Sequence, residues 1–137
     1  MTIRQMTIND YDAVYALWSA SLASVRDIDD SRAAIERFLR RNPDTCVAAE
    51  TGGKVVGSIL CGNDGRRGYL YHVAVDAAHR REGLAGAMLE ASLAALRAEG
   101  IHKCALLAFK DNTAGNAFWE AMGFYTREDL FYRDCWL

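Results

Sequence analysis

Residues 73–86, VAVDAAHRREGLAG, constrain this chain more than any other stretch. An apolar run ends at Val75 and a polar turn follows. Arg80-Arg81-Glu82-Gly83-Leu84-Ala85-Gly86 then leads into apolar residues at helical spacing as far as Leu96. A strand, a corner of small residues and a helix N-terminus thus follow one another. The first N–H groups of a helix have no partner inside it, and the macrodipole adds partial positive charge there. Such a junction is an anion site, and Gly83, Ala85 and Gly86 let a phosphate come close to the backbone.

The 137 residues suit one domain with a core of its own. A formal net charge of −2 argues against non-specific nucleic-acid binding. Cysteines at 46, 61, 104 and 135 form no C-x-x-C, and no histidine lies at zinc-ligand spacing from them, so no metal is expected. Cys46, Cys61 and Cys104 sit in apolar runs and read as small core residues. There is no secretory leader and no apolar run of ~18 residues, which leads us to expect a cytoplasmic protein without a membrane span.

In chain order, residues 2–6 form a short strand, and Thr7 with Asp10 three residues on marks a helix start. Tyr11, Val14, Tyr15, Trp18 and Leu22 recur at helical spacing, in a helix ending near 22–24. Residues 25–30 (VRDIDD) read as a polar connection, and 31–41 as a second helix stopped by Asn42-Pro43. Residues 45–50, 54–61 and 69–75 are strands separated by the turns Thr51-Gly52-Gly53 and GNDGRRG, an antiparallel meander. The long helix covers about 82–99, with Gly100 as its C-terminal cap. A strand at 103–109 should pair parallel to 69–75 by a right-handed crossover. Asp111-Asn112 opens a helix over 113–122, ended by Gly123, and 124–127 with 130–136 reads as a closing hairpin.

Two parallel strands, ending at Val75 and Phe109, are each followed by a helix. A crevice at the carboxyl ends of such strands is a usual ligand position. The residues alone therefore point to an extended, phosphate-bearing ligand.

Three blocks carry a resemblance to a known family: Arg80-x-x-Gly83-x-Ala85, Asn112 at the end of the next strand, and Ala117-Phe118-Trp119-Glu120-Ala121-Met122-Gly123-Phe124. Together with the element order they resemble the GNAT superfamily of acetyl-CoA-dependent N-acetyltransferases. The resemblance implies an α+β fold: a mixed, mostly antiparallel sheet of six to seven strands with a central parallel pair, flanked by four helices. It implies acetyl-CoA as co-substrate, its pyrophosphate cradled by the N–H groups of Arg81, Glu82, Gly83, Leu84, Ala85 and Gly86. The pantetheine arm would pair with the backbone of Val73, Ala74 and Val75, and Asn112 and Trp119 would contact the cofactor. The acceptor that the resemblance implies is a primary amine, of a small molecule or a protein, which would attack the thioester directly in a ternary complex.

The proton-transfer groups depart from the family pattern. Trp119 stands where many members carry an acidic tyrosine, and Leu107 where some carry a glutamate base. Tyr71 is the first substitute, with Tyr69 and His72 behind it. Strand alternation would put both tyrosines on one face and His72 on the other. Tyr125 and Tyr132 are further candidates for the acid. On the acceptor side, Asp27, Asp29 and Asp30 would either draw in a cationic amine or form a solvated loop whose acids cap the second helix, and Trp18 is a further substrate-binding candidate. The apolar C-terminal segment, with Phe131, Tyr132 and Trp136, suits either a packed edge or a homodimer interface. The alternative to an enzyme is a CoA-binding sensor or interaction module.

Overall fold

A computed structural model of the chain describes every residue but 23, 24 and 26, and of Asp27 the backbone alone. The chain divides into two compact units, Met1–Leu107 and Ala108–Leu137, where the sequence reads as one domain.

The first unit holds a five-stranded sheet in the order β1-β2-β3-β4-β5. Its strands are β1 Thr2–Gln5, β2 Val47–Thr51, β3 Lys54–Asn63, β4 Gly68–Val75 and β5 Cys104–Leu106. The first four are antiparallel and β5 runs parallel to β4, as the meander and crossover require. The helices are α1 Tyr11–Ser21, α2 Asp27–Asp30, α3 Arg32–Arg41 and α4 Leu84–Ala98, with α5 Thr113–Ala121 in the second unit.

Two counts are corrected. Among the described residues the sheet has five strands rather than six to seven, and there are five α-helices rather than four. Residues 124–127 and 130–136 form no strands. Leu130-Phe131-Tyr132 is an apolar run without alternation, and an isolated two-stranded hairpin is marginal in water. Phe131 and Trp136 stay exposed, and Arg127 pairs with Asp129 at 2.8 Å across the bend. The extra helix α2 lies in the stretch read as a polar connection; four residues are too short to show a period. The end of the first helix at 23–24 lies outside the described residues.

The sheet is covered on both faces, and glycines set the spacing. On the α4 face, a Cβ on Gly57 would meet the Met88 side chain, and one on Gly68 would stand 2.6 Å from Cδ1 of Leu96. On the other face, a Cβ on Gly62 would stand 2.7 Å from the Phe38 ring of α3. These glycines let helices lie close to the sheet. Leu96 is 2% exposed and has little room to yield. Gly68→Ala should therefore cost about 1–3 kcal/mol by overpacking, seen as a lower urea midpoint with an unchanged slope. An unchanged midpoint would show that Leu96 re-packs freely.

The N-terminus is tied down by charge. Arg4 makes two bonds to Asp10, 2.8 and 2.9 Å, and two to Glu50, 2.8 and 3.0 Å. Asp10 also accepts the N–H of Thr7 at 2.9 Å, the start signal read from the sequence. The Arg4 hydrogen bonds hold the Asp10 carboxyl below the usual carboxylate range, against its burial. A folded-state value below the unfolded one stabilises the fold above pH ~4, and that contribution is lost as pH falls through the folded value. Asp10→Asn should flatten this part of the acid limb of stability against pH, followed by urea titrations between about pH 2 and 5.

Candidate functional site

The corner is built before the helix begins. Asp76 accepts the N–H of Ala78 at 2.9 Å, and its own N–H donates to Val56 O at 2.8 Å, so the turn leaves β4 in a set direction. Arg81 (φ 66°) and Gly83 (φ 76°) adopt left-handed backbone. Neither conformation continues a right-handed helix, which is why α4 starts at Leu84 rather than at Glu82. Nothing lies within 4 Å of where a Cβ of Gly83 would stand.

The first bond of α4 is Ala87 N–H to Gly83 O, 3.1 Å. The N–H groups of Leu84, Ala85 and Gly86 thus precede the first intrahelical bond. No side chain caps this end and the first turn holds no acid. Helix N-termini ordinarily carry a capping oxygen or an acidic residue. Their absence over three free N–H groups leaves the position open to an external anion. A cleft of about 270 Å³ opens beside the corner, lined by α1 residues and by Lys54, Asp76 and Arg80.

The next feature is the edge of β4. It pairs with β5 only at Gly68, Tyr69 and Leu70, while its pairing with β3 continues to Val75. From Tyr71 to Val75 the edge turned from β3 has no strand beside it in this sheet. Val73, Ala74 and Val75 lie on this stretch and can take an extended, amide-bearing partner.

A bulge interrupts β4 here. Leu60 pairs with Tyr71 and Ser58 with Ala74, so His72 and Val73 together oppose Ile59. His72 takes φ 47°. This overturns the expectation that His72 faces away from the tyrosines. The ring of Tyr71 meets Phe38 edge-on at 5.9 Å, and that of His72 lies 4.8 Å from Trp18, so both face α1 and α3. Simple alternation fails because the extra residue turns the strand. Tyr71 is 47% exposed and stacks on Tyr69 at 5.4 Å.

Trp18 is 0% exposed, and its Nε1–H donates to Ser58 Oγ at 2.8 Å. It has no surface to offer an acceptor and is a core residue instead. Asp29 is exposed on α2, and the side chain of Asp27 lies outside the described residues. Asp30 is the acid that turns inward. It is buried, and its Oδ1 is 2.7 Å from His72 Nε2. The sequence reading treated Asp30 as one of three loop acids, and nothing local marks its bond to a residue 42 positions away.

In the second unit Asn112 caps α5, its Oδ1 accepting the N–H of Gly115 at 3.1 Å. Trp119 packs edge-on against Phe118 and Phe124, with ring centres 4.9 and 5.2 Å away. Of the cysteines, burial pushes the Cys46 thiol up to about 12, and a hydrogen bond with Cys104 raises that of Cys61. Both therefore stay protonated core groups. No cluster of three or more histidine, cysteine or acidic residues suited to a metal ion occurs among the described residues. Nor is any described helix long and apolar enough to cross a membrane.

A mixed sheet that opens at its parallel pair, with an uncapped helix N-terminus at the carboxyl end of β4, is an architecture suited to an extended, anionic ligand. The model of the acetyltransferase (GNAT) family matches residues 11–124, and the chain belongs to that family. It is an enzyme of the acetyltransferase class. An acetyltransferase of Pectobacterium atrosepticum is 34% identical over 126 residues, 92% of this chain and 89% of that one. Among solved structures, Ard1 of Thermoplasma volcanium superposes with a TM-score of 0.82 at 26% identity, covering 90% of this chain and 82% of that one. The PaiA N-acetyltransferase of Thermoplasma acidophilum, solved in complex with coenzyme A, superposes with 0.80 at 15% identity, covering 93% and 91%. The family match spans both compact units.

Proposed function

We propose that this protein moves the acetyl group of acetyl-CoA to a primary amine, of a small molecule or a protein, by direct attack in a ternary complex. The observation that carries the reading is the uncapped start of α4, where three N–H groups precede the first intrahelical bond at Gly83 O. In this reading the pyrophosphate sits on the N–H groups from Arg81 to Gly86. The pantetheine arm lies along Val73, Ala74 and Val75, as an added strand would. A backbone N–H at the bulge holds the thioester oxygen as it gains charge. Asn112 and Trp119 are assigned to the cofactor on the family resemblance alone, and Asp27 and Asp29 to the attraction of a cationic acceptor.

The chemistry sets one demand. An alkyl ammonium with pKa ~10.4 is less than about 0.1% neutral at pH 7, a handicap of roughly 4–5 kcal/mol. The nitrogen must lose a proton before it attacks, and the departing thiolate must gain one. Trp119 cannot supply that proton, because an indole N–H does not act as an acid. This substitution favours the second reading, a CoA-binding module with little turnover.

A thiol-release assay with acetyl-CoA against a panel of amines, run beside calorimetric titration with CoA, separates the two. Turnover on any amine supports the enzyme. Tight CoA binding without turnover on any amine selects the module. Absence of CoA binding overturns both.

A further inference from the structure

We propose that His72 is the base that takes the proton of the acceptor amine, with Asp30 as its positioning partner. The inference rests on the acetyl-transfer reading above and names a residue for a step that reading leaves open.

Only two non-glycine residues among those described take positive φ, His72 and Arg81, and both lie within the stretch that forms the edge and the corner. Such backbone costs on the order of 1–3 kcal/mol and persists where the surroundings over-determine it. Those surroundings are visible around His72. Its ring lies 4.8 Å from the buried Trp18, which is itself held by Ser58. Its Nε2 is 2.7 Å from Asp30 Oδ1, with side-chain exposures of 13% and 5%. Asp30 is in turn anchored by the Tyr11 hydroxyl, which donates to its carbonyl at 2.6 Å.

This arrangement sets the tautomer. A carboxylate only accepts, so Nε2 carries the hydrogen and Nδ1 of the neutral imidazole carries the lone pair. Asp30 is the only described residue that bonds the ring. An acid fixing one nitrogen while the other stays basic is the general arrangement of a positioned base. His72 directly precedes Val73, on the stretch assigned to the thioester arm. Imidazole, pKa ~6.5, suits a proton acceptor near neutral pH better than a phenol near 10, which ranks His72 above Tyr71.

Among the described residues, the contacts of the ring bring one charged group to it. Asp30 faces it from α2, with Tyr11 of α1 acting on the Asp30 carbonyl. Trp18 of α1 and Ser58 of β3 bring no charge, and Tyr71 is its neighbour in the strand. The proton of the ammonium passes to Nδ1, and the imidazolium is stabilised by Asp30. The amine nitrogen then forms its bond to the thioester carbon, the C–S bond breaks, the thiolate takes the proton back from the imidazolium, and the nitrogen releases its second proton to solvent as the neutral amide forms.

The test uses the full chain and an amine found in the assay above. His72→Asn removes the base but keeps a residue that tolerates left-handed backbone, and His72→Gln is a second variant. Both should keep CoA affinity and lose on the order of 10²–10⁴ in kcat/KM. The acid limb of the wild-type pH profile should vanish in the residual activity. Asp30→Asn should retain that limb but move it to lower pH, because the imidazolium loses its carboxylate. Activity within threefold of wild type in either His72 variant would overturn the proposal. So would a lower melting temperature with the pH limb unchanged, which would make the pair structural. Wild-type protein that binds CoA but acetylates no amine fails the transfer reading itself, and this role falls with it.

Discussion

Gly83→Asp should abolish CoA binding and leave the protein as stable as before, or more so. The position is the N-cap of α4, with φ 76° and no heavy atom within 4 Å of an added Cβ. A side chain therefore meets no clash. It meets only the strain of left-handed backbone, about 1–2 kcal/mol and least for Asp and Asn. Aspartate is also among the best N-cap residues, contributing about 0.5–2 kcal/mol to a helix that has no cap of its own. The two effects offset one another. Binding has no such compensation. A carboxylate about 4 Å from a phosphate opposes it by about 4 kcal/mol at an effective dielectric near 20, a loss on the order of 10³-fold. Gly83→Ala supplies the control, with the strain but no charge, and should bind CoA within a few-fold of wild type. Calorimetric titration and thermal melts of the three proteins read both quantities. Undiminished affinity in Gly83→Asp would move the pyrophosphate away from this corner.

The corner could be read from sequence because everything that makes it is local. A strand ends, glycines permit the bend, and helical spacing resumes within ten residues. The long helix, the meander and the parallel return were legible for the same reason, since each is a period or a turn within one segment. The bulge was not legible. No residue type announces that His72 and Val73 share one partner on β3, and the rule of alternate faces gave His72 the wrong side. The His72–Asp30 bond joins residues 42 apart through a helix of four residues, below the length at which any period shows. The closing hairpin was over-read from its apolar content, which lacks the alternation a strand needs.

Trp18 shows the same limit most clearly, because its fully buried state could not be told from a substrate contact by spacing alone. Trp18→Ala should cost about 3–5 kcal/mol, the range for removing a large aromatic from a core. The side chain is 0% exposed and packs in the cluster that holds Val14, Ile35, Leu39 and Leu60. Against a total stability of about 5–15 kcal/mol this is a large fraction, and the melting temperature should fall by roughly 10–20 °C. Trp18→Phe separates the two parts of the effect. It keeps most of the ring but leaves the buried Ser58 hydroxyl without its 2.8 Å partner, at about 1–3 kcal/mol. Adding Ser58→Ala to it should recover part of that loss, since removing both partners of a buried hydrogen bond costs less than removing one. If Trp18 instead served the acceptor, Trp18→Phe would raise KM while the melting temperature stayed where it was. The buried ring predicts the reverse order: stability falls first, and KM for the acceptor follows only as far as His72 loses the surface it rests on.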